Sequence, residues 1–144
     1  MIRLAESDED IRSCHPVMRQ LRPNHDELGP FVARIRMQQR EGYRLALLEE
    51  RGRAVAVAGY RIGHNLAWGK YLYVDDLVTD EATRSAGHGR QLLEWLARTA
   101  TEDRCEELHL DSGVQRFGAH RFYLREGMDI TSHHFALTLR RPVE

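Results

Sequence analysis

Residues 71–100 read YLYVDDLVTDEATRSAGHGRQLLEWLARTA, and the order of their patterns decides the fold. Tyr71 to Thr79 is rich in β-branched and aromatic residues, as a strand requires. Asp75-Asp76 interrupts it, a carboxylate pair that a half-buried strand would not carry for packing alone. A short loop then leads through Arg84-Ser85-Ala86-Gly87-His88-Gly89-Arg90 into an amphipathic helix. There Leu92, Leu93, Leu96, Ala97 and Ala100 form one apolar stripe, with Glu94 and Arg98 paired on the outer face. In the first turn Gly87 and Gly89 each cost about 1 kcal/mol relative to alanine. What glycine provides is close approach of the backbone, with N–H groups open at the positive end of the helix dipole. That is an anion site suited to a pyrophosphate, and Arg84 and Arg90 add charge at the same end.

Spacing narrows the scheme. GxxxxGK[ST] is absent, and Leu92 stands where GxGxxG needs its third glycine. An ordinary strand–turn–helix with incidental glycines is the competing reading. Arg84-x-x-Gly87-x-Gly89, after a strand and before a helix, resembles the acetyl-CoA signature Gln/Arg-x-x-Gly-x-Gly/Ala of the GNAT superfamily of N-acetyltransferases. Downstream, Ala119-His120-Arg121-Phe122-Tyr123-Leu124-Arg125-Glu126-Gly127-Met128 looks like that family's A-x-x-F-Y-x-x-x-G-F segment, so the resemblance covers essentially the whole chain.

The rest of the chain bounds the answer. Its 144 residues make one domain, 1–144, with 42% hydrophobic and 30% charged residues, the balance of a globular protein. A formal charge of -1 argues against a general nucleic-acid binder. No apolar run approaches the roughly 18 residues of a membrane span. The start, MIRLAESDED, lacks a signal-peptide core, and Cys14 and Cys105 read as reduced thiols, so a cytoplasmic protein is expected. Eight histidines invite a metal reading. However, His133-His134 point apart on a strand and the others lack chelating spacing, so no metal is expected.

In chain order, Ile2–Ala5 is a strand, and Ser7-Asp8-Glu9-Asp10 opens a helix as a capping box. Ile11, Cys14, Val17, Met18 and Leu21 form its buried face, and Pro16 predicts a kink or division near His15. A second helix covers Leu28 to Glu41, with Leu28, Phe31, Val32 and Ile35 inward and Gly42 as its stop. Tyr43–Glu49 and Ala54–Ile62 are strands joined by a hairpin at Glu50–Arg53, and Gly63-His64-Asn65 turns into the long strand that reaches Thr79. After the helix, Glu106–Asp111 is a strand that a helical crossover sets parallel to Tyr71–Thr79. Phe117–Glu126 is a short helix with Phe122 and Leu124 partly inward, Ile130–Leu139 is a last strand, and a tail carries Pro142.

The resemblance implies an α/β (α+β) acyl-CoA N-acyltransferase fold. Its mixed, mostly antiparallel sheet would have six or seven strands and about four helices, with a splayed parallel pair near 71–79 and 106–111. It implies acetyl-CoA as acyl donor, its pantetheine arm hydrogen-bonding main chain at Leu77, Val78 and Thr79. The pyrophosphate would rest on N–H groups of Ser85, Ala86, Gly87, His88, Gly89 and Arg90, flanked by Arg84. An N–H near Val78 would polarise the thioester oxygen. Splaying would need a bulge, expected around Asp76-Leu77. Tyr123 matches the family tyrosine that protonates the leaving thiolate, within a frame set by Ala119. Where many members carry asparagine, Arg116 stands and would contact the cofactor.

Asp75 and Asp76 are the candidates for receiving the amine proton. Adjacent strand residues face opposite sides unless a bulge turns both. By its match to polyamine-type members Asp75 is preferred, acting through a water. The competing reading has both acids pairing with Arg61 or Lys70. The function implied is direct acetyl transfer to a primary amine of a small molecule or peptide side chain. Alternatives are a protein or peptide N-acetyltransferase and a non-catalytic acyl-CoA sensor. Neither nucleic acid nor membrane is expected as a partner, and a homodimer is possible. The family grips its acceptor with the first two helices, here about Cys14 to Glu41, where Arg19, Arg22, Arg34 and Arg36 mix with Asp26 and Glu27.

Overall fold

In the computed structural model, residues 1–140 are described. They fall into two compact units divided after Leu110. The first is built on a five-stranded sheet in sequence order: β1 (Ile2–Leu4), β2 (Arg44–Glu50), β3 (Arg53–Asn65), β4 (Gly69–Thr79) and β5 (Glu107–Leu110). The first four strands are antiparallel neighbours, and β5 joins β4 in parallel, as the helical crossover requires. Three helices cover the sheet: α1 (Asp8–Leu21), α2 (Leu28–Arg40) and α3 (His88–Glu102). Because helices lie on both faces, β2 is buried on both, which is why it reads as the unbroken run Leu45-Ala46-Leu47-Leu48. Leu45 and Leu47 join Ile11, Cys14, Val17, Phe31 and Ile35 of α1 and α2, whereas Ala46 and Leu48 join Leu92, Leu96 and Ala100 of α3.

The expected mixed sheet is present, with five strands among the described residues rather than six or seven. Residues 130–139 form no strand among the described residues, and Ile130, Phe135, Leu137 and Leu139 are exposed. Pro142 lies outside the described residues. Among the described residues the second unit has one helix, α4 (Phe117–Arg125), in which Phe122 is half-buried but Leu124 is exposed.

Elsewhere the departures are local. The capping box is made, with Ser7 Oγ accepting from Asp10 N at 3.0 Å and Asp10 Oδ2 accepting from Ser7 N at 3.4 Å. Pro16 does not divide α1, because the ring lies exposed and the unpartnered carbonyl of exposed Arg12 can be hydrated. Leu28, at the first position of α2, faces solvent, and so does Ala97 of the α3 stripe. Gly63-His64-Asn65 stays in β3, and the chain reverses at residues 66–68 instead.

One irregularity positions everything that follows. Gly59 of β3 pairs with Asp76, yet the next residue, Tyr60, pairs with Val74, so β4 carries one extra residue, Asp75. The bulge therefore sits just before the expected Asp76-Leu77. The β4–β5 pairing runs from Tyr71↔Glu107 to Val74↔Leu110 and stops at the bulge. From Asp75 onward β4 is paired by β3 alone within this unit.

Gly59 explains itself here. A Cβ at this position would overlap the hydroxyl of Tyr43, which crosses β3 to reach Asp76. Gly59→Val should therefore lower the denaturant midpoint by an amount equivalent to roughly 1–3 kcal/mol. An unchanged midpoint in equilibrium unfolding would show that Tyr43 yields without cost.

Candidate active site

Alternation along a regular strand would send Asp75 and Asp76 to opposite faces, and the bulge removes that constraint. Both line one cavity of about 330 Å³, together with Met18, Arg22, His25, Phe31, Arg34, Ile35, Gln38, Tyr43 and Tyr73. Its walls come from the end of α1, the 3-10 turn Pro23–His25, α2 and the bulged part of β4. His15, buried in α1, holds that turn. Its Nε2 donates to the His25 carbonyl at 2.9 Å, and its ring packs at 4.8 Å from Phe31.

The two carboxylates are held differently. Asp76 accepts from Arg22 Nε at 2.8 Å on one oxygen and from the Tyr43 hydroxyl at 2.8 Å on the other. Arg22 also donates to the Asp75 carbonyl at 2.9 Å, which fixes the bulge from the side of α1. Asp75 accepts from Arg61 Nε at 2.9 Å on Oδ2 only. Burial lifts its carboxyl above the ordinary aspartate value of 3.8, and Arg61 opposes that without cancelling it. Burial, and then the neighbouring Asp76, also push the Tyr43 phenol well above its usual 10.0, so Tyr43 is a permanent donor at neutral pH. Arg61 lies over the Tyr43 ring at 5.4 Å, closing a network of five side chains. Asp75 thus pairs with Arg61 as the competing reading expected, whereas Lys70 pairs with Asp103 at 3.5 Å.

Tyr43 and Gly59 escaped the sequence reading, as did the contact of Arg22 with both acids. A lone glycine inside the strand AVAVAGYRI was the available signal, since glycine there marks a bulge or a close backbone approach.

The glycine turn adopts the geometry of an anion cradle. Ser85 has φ 74° and Gly87, the residue capping α3, has φ 81°. No side chain caps the helix start, and a Cβ on Gly87 would meet nothing within 4 Å, so the space in front of the first turn is open. Ser85, Ala86, Gly87 and Arg90 are exposed, Gly89 is half-buried and Arg84 is exposed. His88 instead turns inward, buried, with Nε2 3.2 Å from Glu50. The loop is tied at its start by Asp80, whose carboxylate accepts from Gln20, Ala82 N and Arg53. Those bonds, led by Gln20, hold Asp80 below the usual carboxylate range. Upstream, Leu77 and Thr79 are half-buried and Val78 is buried on the stretch of β4 that β5 does not pair.

In the second unit, Tyr123 lies half-buried on α4. Burial raises its phenol above 10.0, and Arg116, at the cap of α4, opposes the rise. Ala119 is half-buried and Arg116 is exposed on the same short helix and its cap.

Comparison with known proteins bears on the family and the fold. The model of the acetyltransferase (GNAT) family matches residues 7–128. The uncharacterized N-acetyltransferase YhdJ of Bacillus subtilis (strain 168) is 33% identical over 139 residues, covering 95% of this chain and 94% of that protein. An aminoalkylphosphonate N-acetyltransferase of Salmonella typhimurium is 34% identical over 86 residues, 59% of this chain and 54% of that protein. The structure of AAC(6')-Iy, in complex with the bisubstrate analog CoA-S-monomethyl-acetylneamine, shares the fold with a TM-score of 0.81 at 18% identity, covering 98% of each chain. A strand bulged at paired acids and a glycine cradle after it are thus found in a chain that belongs to the GNAT family of acetyltransferases and is an N-acetyltransferase.

Proposed function

We propose that the cavity beneath Asp75 receives a small primary amine, that the glycine cradle receives the diphosphate of acetyl-CoA, and that the acetyl group passes directly between them. The observation that carries this is the bulge at Asp75, which turns two carboxylates into one cavity and ends the β4–β5 pairing at Val74. The residues present fit the cofactor. Gly87, with its left-handed φ and open front, allows backbone N–H groups from Ser85 to Arg90 to meet a phosphate, with Arg84 beside them. Leu77, Val78 and Thr79 offer main chain that β5 does not pair for the amide arm, and Arg116 and Ala119 are further proposed cofactor contacts. Bound there, acetyl-CoA supplies an activated thioester carbonyl.

Asp75 takes the proton from the amine. Both Asp76 oxygens already accept hydrogen bonds, whereas Asp75 has Oδ1 without a partner among the described residues. Its raised pKa also makes it a better base than an ordinary aspartate. Asp76 places a second carboxylate in the same cavity. Tyr123 donates a proton to the departing sulfur, and burial keeps that phenol protonated at neutral pH. The nitrogen gains the acetyl carbon, the carbon–sulfur bond breaks, and one proton leaves the amine as another reaches the thiolate.

The cavity, near the lower bound for small-molecule sites, supports a small acceptor over a protein terminus. So does the Salmonella relative named for aminoalkylphosphonates. Catalysis by the chain as one domain is supported by a family match that crosses the boundary at Leu110. Two free cysteines support a cytoplasmic setting. Exposed alternation at Phe135, Leu137 and Leu139 supports a homodimer in which a second copy covers those side chains.

Thiol release from acetyl-CoA over a panel of amines tests the proposal, and binding without release in any amine would favour a sensor. Asp75→Asn should lower kcat/KM by roughly a hundredfold or more. In the wild type, kcat/KM should fall on acidification through a pKa above 3.8, as Asp75 takes up its proton. A raised pKa means that ionised Asp75 is costlier in the folded state than in the unfolded one. Asp75→Asn should therefore raise Tm at neutral pH, with the gain shrinking through the folded pKa and gone below about 3.8. A Tm lowered at neutral pH would contradict this. Tyr123→Phe should cut kcat by roughly a hundredfold while KM for acetyl-CoA changes little, and an unchanged kcat would remove Tyr123 as the acid.

A further inference from the structure

The charges around the cavity pair off and leave a remainder. Asp75 is bonded by Arg61, and Asp76 by Arg22 and Tyr43. Arg34 of α2 lines the same cavity, is exposed, and has no hydrogen bond or ion pair among the described residues. Of the other arginines on these helices, Arg12 and Arg40 do not line the cavity, and Arg36 and Arg19 are engaged elsewhere. Arg36 is bonded to Asp8 at 2.8 Å and to Gln39 at 2.9 Å, and Arg19 lies 3.6 Å from Asp26. Helix spacing also sets Arg34 apart from a merely solvated arginine. Phe31, Ile35 and Gln38 stand three before, one after and four after it, and all three line the cavity, so Arg34 belongs to the side of α2 that faces it.

We propose that the acceptor amine also carries an oxyanion a few bonds from its nitrogen, a carboxylate or a phosphonate, and that Arg34 holds this group. The inference rests on the acyl-transfer reading and deepens it. The cavity offers two carboxylates at the bulged end of β4 and one unengaged guanidinium on α2. A zwitterion is the complement of that arrangement, with its ammonium toward Asp75 and Asp76 and its anion toward Arg34. A diamine would set its second cation against Arg34, and a simple alkylamine would leave the guanidinium unused. The planar fork of arginine suits a two-oxygen anion, which both carboxylate and phosphonate present.

The test uses the full chain with saturating acetyl-CoA and thiol release as the readout. Four amines are compared: 3-aminopropionate, 2-aminoethylphosphonate, propylamine and 1,3-diaminopropane. At least one of the oxyanion-bearing amines should exceed both others in kcat/KM by roughly tenfold or more. The ranking of the first two distinguishes carboxylate from phosphonate. Arg34→Gln should erase that margin, mainly through KM, and Arg34→Lys should recover part of it. Because Arg34 is exposed and unbonded, both variants should keep the wild-type Tm. Propylamine or the diamine performing as well as the oxyanion-bearing amines would overturn the inference while leaving acyl transfer standing. So would a margin that survives Arg34→Gln. Release with none of the four but with another amine would overturn this inference alone, and the absence of release with every amine tried would overturn the acyl-transfer reading and this inference with it.

Discussion

The site depends on one extra residue in β4. A regular antiparallel pairing with β3 would place Asp75 and Asp76 on opposite faces of the sheet, one toward α1 and α2 and the other toward α3. Inserting Asp75 between the pairs Tyr60↔Val74 and Gly59↔Asp76 breaks the alternation locally. A single backbone event thus gathers two acids into one cavity and ends the pairing with β5. Bulges recur where a sheet must re-aim a side chain or release a strand, and this one does both.

Gathering two carboxylates has an electrostatic cost, and the surrounding residues divide it unequally. Arg22 and Tyr43 satisfy Asp76 on both oxygens. Asp75 receives one guanidinium and its carboxyl remains raised by burial, which on the proposed reading suits it to act as the base. Tyr43 is central to that division. Its hydroxyl must lie across Gly59 to reach Asp76, its ring carries Arg61, and burial keeps it protonated. The strand partner of Asp76 is glycine for that reason.

Much of this was legible in the chain. The apolar stripe of α3, the capping box at Ser7 and the parallel crossover all follow from periodicity and elementary connection rules. The open, left-handed turn at Gly87 was legible because glycine in a first helical turn needs a reason. Of the partners of the acids only Arg61 was expected; Tyr43 and Arg22 were not, because they lie 33 and 54 residues from Asp76. Nothing in one dimension marks such pairs. The bulge was expected one step too late, since the glycine that signals it is on the facing strand. The expected strand at 130–139 failed for a related reason. Alternation at Phe135, Leu137 and Leu139 states a preference, but a strand needs an edge to pair with, and none pairs with this segment among the described residues.

On this account the bulge releases β4 so that the amide arm of acetyl-CoA can hydrogen-bond where β5 no longer does. Amide hydrogen exchange read residue by residue, with and without saturating acetyl-CoA, tests that most directly. The account predicts slowed exchange at Leu77, Val78 and Thr79 and across Ser85 to Arg90, with little change from Tyr71 to Val74, which β5 already pairs. Saturated binding that leaves Leu77 to Thr79 exchanging at their unliganded rates would contradict it.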